Sequence, residues 1–169
     1  MPLPIVGTLF YSGPPLHVLH DDYAKQGRID DRAPVVAAAE VDVDAPPATV
    51  WRLLSDVAAW PSWNTDIKSV TLDPAVAVDA AFHWKNGASS IRSRFAVVAA
   101  ERELTWTGVS TGIRAVHRNT LEPLPGGGVR LRSEESMAAP LIGVIFPSGV
   151  LQRSLRKWVE QLKRTAEAA

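Results

Sequence analysis

The chain has 169 residues and a mass of 18.3 kDa, with 46% hydrophobic and 21% charged side chains, which suits one domain with its own core and excludes two comfortable ones. Its 18 Lys and Arg balance 18 Asp and Glu, so neither a polybasic nucleic-acid binder nor an acidic disordered tail is expected. The absence of cysteine removes disulfides, thiolate metal sites and cysteine nucleophiles together, leaving His and carboxylates for any acid–base chemistry.

Residues 1–34 read as an extension, a strap or a lid, and residues 35–169 as a single domain. Met1 to Gly13 lacks basic residues and carries Pro2 and Pro4, which does not match a secretory signal. His17, His20 and Asp21 spell H-x-x-H-D, but no other anchored ligand accompanies them, so a solvated loop is expected there and no metal site. From Val35, Ala39, Val41 and Val43 alternate with Glu40, Asp42 and Asp44, the period of a strand with one wet face. Pro46-Pro47 opens a helical run holding Val50, Trp51, Leu53, Leu54 and Val57, and Asp56 is placed to cap a further short turn that Pro61 ends.

Strands are expected near 67–73, 80–85, 89–100, 103–109, 112–122 and 128–138, the last two joined by the hairpin loop Pro123-Leu124-Pro125-Gly126-Gly127. The apolar stretch Met137 to Leu151 is broken by Pro140, Gly143, Pro147 and Gly149 and falls short of a membrane span. Within it, Pro140 to Pro147 reads as a short buried helical turn or as a gate at a cavity mouth. After Pro147, Leu151, Leu155, Trp158, Val159, Leu162 and Ala166 form one apolar stripe on a long helix. These elements make an α+β domain, and a soluble, cytoplasmic protein is expected. No G-x-S-x-G, phosphate loop or dinucleotide fingerprint is present, so no cofactor is expected. The glycines at 126–128 lie between strands and make a turn.

The run Val43-Asp44-Ala45-Pro46-Pro47-Ala48-Thr49-Val50-Trp51, then Leu54-Ser55-Asp56 and Trp60-Pro61-Ser62-Trp63, resembles the N-terminal signature of the polyketide cyclase/dehydrase branch of the SRPBCC superfamily. That group also holds the START lipid-transfer domains and the major birch pollen allergen. Phe82-His83-Trp84, Trp106-Thr107-Gly108, His117, the glycine turn, Glu134-Glu135-Ser136 and the helix with Trp158 follow in the matching order, so that the resemblance covers roughly residues 35 to 167. It implies a helix-grip fold: a seven-stranded antiparallel sheet curved around the long C-terminal helix, with two short helices after the first strand and a deep apolar cavity. Members cyclise polyketides, carry lipids, bind hormones or activate chaperones, so the resemblance leaves function open.

Strand alternation then sorts the side chains. Phe82, Trp84, Ile91, Ser93, Phe95, Val97, Leu104, Trp106, Gly108, Ile113, Ala115, His117, Asn119, Leu121, Val129, Leu131, Ser133, Glu135 and Met137 fall on the inward face. Arg92, Arg94, Arg114, Arg118, Arg130 and Arg132 fall outward, a face for cross-strand pairing or for weak association with an acidic partner or membrane surface. With Pro123 opposite Val129, His117 lies directly across from Glu135, either as a buried pair satisfying hydrogen bonds, as an anchor for a ligand head group, or as an acid–base pair.

The expected function is binding of a small, largely apolar molecule, polyketide-, lipid- or aromatic-like, by a carrier or binding protein. Phe82, Trp84, Ser93, Phe95, Trp106, Asn119, Ser133 and Met137 would line its site around His117 and Glu135. The alternative is a cofactor-independent polyketide cyclase or aromatase-like enzyme catalysing cyclisation or dehydration, with His117 as acid/base, Glu135 orienting it, and Ser93 or Asn119 holding an oxyanion. A third reading is a chaperone-type interaction module working through the outer arginines. Of six tryptophans, Trp51, Trp60, Trp63 and Trp158 read as structural, and Trp84 and Trp106 as cavity walls.

Overall fold

The computed structural model describes residues 9–72 and 74–169; the first eight residues and Asp73, the expected end of one strand, lie outside it. Period-two alternation becomes β1 (Val35–Val43), with Val35, Ala37, Ala39 and Val43 buried and Glu40 and Asp42 exposed. Pro47 then occupies the first turn of α1 (Pro47–Ser55), where its missing N–H costs nothing. Asp56 precedes a 3-10 turn (Val57–Ala59) without a side-chain cap bond. Pro61 does not end that turn: it sits in the first turn of α2 (Trp60–Trp63), a position that tolerates proline and so extends the helical run.

Six further strands follow: β2 (Ile67–Leu72), β3 (Ala81–Asn86), β4 (Ser89–Ala99), β5 (Glu103–Ser110), β6 (Ile113–Pro123) and β7 (Val129–Ala138). They form one antiparallel sheet in the order β1-β7-β6-β5-β4-β3-β2. After a four-residue turn, α3 (Ile142–Ile145), the chain enters α4 (Ser148–Glu167), whose buried residues include the whole expected stripe. This is the helix-grip arrangement, with α4 lying across the inner face of the sheet and its apolar stripe in the core with Trp60, Phe82, Phe95, Leu104 and Leu131. Trp60 is the hub of that core. Its ring meets Phe82, Trp84, Trp106 and Trp158 at centroid distances of 5.2 to 6.0 Å, and its indole N–H donates to the Leu54 carbonyl at 3.0 Å.

One inward assignment fails. In β4 the register slips between Phe95 and Val97, so Phe95 pairs with Trp106 but Val97 pairs with Thr105 and Val98 with Leu104. An extra residue in one strand inverts alternation beyond it. Val98 therefore packs on the inner core, while Ala96 packs outward with Val116.

The outer face is only partly the wet arginine surface that alternation implies. A short helical run, Leu16–Val18 continuing through a π turn (Leu19–Tyr23) and a 3-10 turn (Ala24–Gln26), lies on it and buries Leu19 and Ala24 against Ala96 and Val116. Gly27 closes the run with φ 66°, a left-handed conformation suited to glycine, and brings the chain against the Arg118 guanidinium. Arg118 bonds both Glu103 and Glu134, Arg132 bonds Glu40 and Glu134, and Arg130 forks onto Asp42. Arg114 donates to the carbonyls of Ser12, Gly13 and Pro14, tying the strap to β6. Cross-strand pairing and strap anchoring thus occupy most of the outward arginines.

Candidate functional site

Between the curved sheet and α4 the core leaves a chamber of about 460 Å³. Volumes of this order hold a small ligand. Its walls come from β3 (Trp84), β4 (Ile91, Ser93), β5 (Trp106, Gly108), β6 (Ile113, Ala115, His117), β7 (Glu135, Met137) and the stripe of α4 (Leu151, Leu155, Trp158). Asn64, Asp66, Asn86, Ser89, Ser110 and Lys157 also line it, and of these Ser89 and Lys157 are exposed. Lys157 is paired with Asp66 at 2.6 Å. The segment 140–147 forms a helical turn, as expected, but only Ile142 within α3 is buried: Leu141, Val144 and Ile145 are exposed, and Ile142, Ile145 and Phe146 contribute to the chamber lining.

His117, Glu135, Trp84, Ser93, Trp106 and Met137 all line the chamber as the alternation implies. Phe82, Phe95, Asn119 and Ser133 point inward but stand behind its wall. Phe82 and Phe95 stack on each other at 4.4 Å, and Asn119 and Ser133 have no surface exposure. Their burial removes Asn119 and Ser133 from direct contact with a ligand and gives them a different task. Trp158, assigned to structure by its place on the helical stripe, also lines the chamber, because the one helix face that packs on the sheet is the face that roofs the cavity. The lining Asn64, Asp66 and Lys157 carry no signal in strand alternation, since they come from the turn before β2 and from a polar flank of α4.

The polar corner is built by register. Pro123 pairs with Val129, which sets His117 opposite Glu135 and Asn119 opposite Ser133. Glu135 Oε2 lies 3.1 Å from His117 Nδ1, and His117 Nε2 lies 2.9 Å from Ser133 Oγ. Ser133 Oγ donates to Asn119 Oδ1 at 2.6 Å, the Trp158 indole donates to the same oxygen at 3.1 Å, and Asn119 Nδ2 donates to the Leu104 carbonyl at 3.3 Å. The imidazole lies flat against Trp106, with centroids 4.5 Å apart and planes 14° apart. Every side-chain polar atom of His117, Ser133, Asn119 and Trp158 in this row thus has a partner, as a low-dielectric interior demands. Both ring nitrogens of His117 are engaged within it, and the side chain that turns a polar atom to the chamber is Glu135, whose side chain is 13% exposed.

A second polar atom faces the chamber across from this corner. Ser93 Oγ accepts the Trp84 indole N–H at 3.0 Å, which leaves the hydroxyl proton of Ser93 for a neighbour.

The histidines of the H-x-x-H-D run separate. His17 is exposed, whereas His20 is buried on the outer face, its Nδ1 2.8 Å from Thr107 Oγ1 and its Nε2 2.9 Å from Asp79 Oδ1. Lys25 joins Asp79 at 2.9 Å, and these contacts pull the Asp79 carboxyl down to about 2, Lys25 contributing most and His20 next. This cluster fastens the strap to the loop before β3. It lies on the opposite side of the sheet from the chamber.

Comparison with known proteins agrees with this geometry. Among curated proteins there is no sequence match. Among solved structures, a hypothetical protein from Helicobacter pylori superposes with a TM-score of 0.73 at 13% identity, covering 80% of this chain and 90% of its own. A START superfamily protein from Mycobacterium smegmatis gives 0.67 at 17% identity, covering 79% and 97%. The Zhui aromatase/cyclase from Streptomyces sp. R1128 gives 0.67 at 14% identity, covering 78% and 93%. At such identities the likeness is one of fold. The family model for polyketide cyclase / dehydrase and lipid transport proteins matches residues 34–167, the span of β1 through α4 that builds the sheet, the helix and the chamber between them. The chain belongs to this family, in the polyketide cyclase-like branch of the SRPBCC superfamily.

Proposed function

We propose that the protein binds a small, largely apolar molecule in the chamber and acts as a carrier or binding protein. The observation that carries this reading is the chamber itself: about 460 Å³ left open among aromatic and aliphatic side chains, with the hydrogen-bonded pair of His117 and Glu135 on its wall. Such space is costly to leave empty, since each unfilled apolar volume forfeits dispersion contacts that a well-packed core would make. Native mass spectrometry of the freshly purified protein tests the reading. The expected result is an added mass that departs on denaturation, or, in protein stripped of it, saturable uptake of an apolar dye such as Nile red. A bare mass together with no uptake of the dye overturns it.

The adjacency of His117 and Glu135 on the chamber wall supports a second reading, a cofactor-independent cyclase or aromatase-like enzyme. In that reading the roles expected from sequence exchange. Glu135 would meet the substrate and His117, held by Ser133 and Trp106, would share its proton. The hydroxyl of Ser93 would face a developing oxyanion across the chamber, whereas Asn119 stands fully buried behind the wall with its amide nitrogen turned to the Leu104 carbonyl. Once a ligand is known, a His117→Ala variant that still binds it but no longer converts it separates enzyme from carrier.

A further inference from the structure

The hydrogen-bond row beside the chamber has a fixed direction, and that direction determines what Glu135 offers a ligand. An indole N–H can only donate, so the atom of Asn119 facing Trp158 Nε1 is its carbonyl oxygen, and the amide nitrogen faces the Leu104 carbonyl. Ser133 Oγ, 2.6 Å from that carbonyl oxygen, must spend its one proton there. His117 Nε2, 2.9 Å from the same hydroxyl oxygen, must therefore carry a proton and donate it. Between His117 Nδ1 and Glu135 Oε2, 3.1 Å apart, one further proton is then required. Without it, a ring nitrogen lone pair would face a carboxylate oxygen.

Whether that proton rests on nitrogen or on Oε2, the pair is neutral as a whole and Glu135 Oε1 is an acceptor. In the first form Oε1 is half of a carboxylate, and in the second it is the carbonyl oxygen of a carboxylic acid. Among the described residues Oε1 has no hydrogen-bond partner, and Glu135 lines the chamber. Nearby cationic charge is committed elsewhere, since both ring nitrogens of His117 are engaged within the row and Lys157 is paired with Asp66.

Resting on the reading of the chamber as a ligand site, we infer that it selects apolar molecules bearing a hydrogen-bond donor, such as a phenol or an alcohol, over their ethers and over carboxylates. A hydroxyl gains the one acceptor left unpaired in the corner. An ether leaves that acceptor desolvated and unsatisfied, and a carboxylate sets lone pairs against lone pairs with no free cation to compensate.

Three probes of one shape test this: 2-naphthol, 2-methoxynaphthalene and 2-naphthoate, titrated by calorimetry into the protein stripped of any bound molecule. Wild type is expected to bind 2-naphthol on the order of tenfold more tightly than either of the others. In Glu135→Leu, with folding checked by its melting curve, the three affinities converge. In Glu135→Gln the amide nitrogen can donate to His117 Nδ1 while its oxygen faces the chamber, so the preference for 2-naphthol survives. If the row ran the other way, the Gln amide nitrogen would face the chamber and the order would reverse toward the ether and the carboxylate, which overturns the inference. Equal binding of all three probes by wild type overturns it too while leaving the ligand-site reading intact. Failure of all three to bind overturns both.

Discussion

Trp106 lies flat on His117, with 4.5 Å between ring centroids and 14° between planes, and the two are direct cross-strand partners on β5 and β6. The indole thus fixes one face of the imidazole while Ser133 and Glu135 hold its edge. Removing the indole is expected to cost more than its own burial, because the histidine loses its alignment to two hydrogen-bond partners. Trp106→Ala should destabilise the protein by about 3–5 kcal/mol in urea unfolding. Trp106→Phe keeps an aromatic face against the ring and should cost clearly less. Equal losses in the two variants would show that the stack does not position His117.

Asp79 is the acid-sensitive fastening of the strap. Its carboxyl is held down to about 2, chiefly by the Lys25 ammonium and then by His20, against an unfolded value near 4. A carboxyl depressed on folding stabilises fully above its unfolded value, and that contribution is lost as pH falls through its folded one. Between about pH 4 and pH 2, amides in the Leu16–Gln26 run should therefore lose hydrogen-exchange protection ahead of the sheet. Asp79 has φ 67°, and asparagine tolerates that region, so Asp79→Asn removes the charge without straining the backbone. This variant should show the loosened strap at neutral pH. Unchanged protection there would mean that Leu19 and Ala24 hold the strap by apolar packing alone.

Tyr11 reports the other end of the extension. Its phenol donates to Asp30 Oδ2 at 3.0 Å, and burial followed by that bond pushes it up to about 12. For an acid raised on folding, the contribution to stability is complete below the unfolded value near 10 and vanishes as pH climbs through the folded one. The protein has two tyrosines, so ultraviolet titration can separate them. A late ionisation step near 12 is expected in the wild type and should disappear in Tyr11→Phe. A Tyr11→Phe titration superimposable on that of the wild type would rule out the Asp30 contact.

How much of this was legible in the sequence follows from where period-two alternation carries information. Along β6 and β7 every second residue changes character, and the Pro123 to Val129 loop pins the register, so the pairing of His117 with Glu135 can be read directly. Along Phe95-Ala96-Val97-Val98 all four residues are apolar, so the pattern looks the same with or without a slipped residue, and the bulge is invisible. Burial of Asn119 and Ser133 behind the wall depends on the size of neighbours three elements away, notably Trp158, which alternation within a strand does not register. The strap is a similar case. Its apolar residues are few, and they find their partners only because Ala96 and Val116 happen to face outward together.

Gly108 lines the chamber two residues along β5 from Trp106, the cross-strand partner of His117. It pairs with Ser93 and Ala115, and a Cβ placed on it would stand 3.1 Å from Ser93 Oγ and 3.4 Å from Ile91 Cγ2. Two effects oppose each other in Gly108→Ala. Alanine loses less backbone entropy than glycine on entering a strand, a gain of about 0.5–1 kcal/mol. The crowded Ser93 hydroxyl must rotate, however, and if it leaves the Trp84 indole without an acceptor in a buried place the loss is about 1–3 kcal/mol. The second effect should win, giving net destabilisation. In a Ser93→Ala background the indole has already lost its partner and the crowding is relieved, so Gly108→Ala should become neutral or stabilising. A double-mutant cycle measured by urea unfolding reads this coupling, expected at about 1 kcal/mol or more. Additive changes across the cycle would mean that Ser93 yields freely, and that Gly108 is there for the space it leaves in the chamber alone.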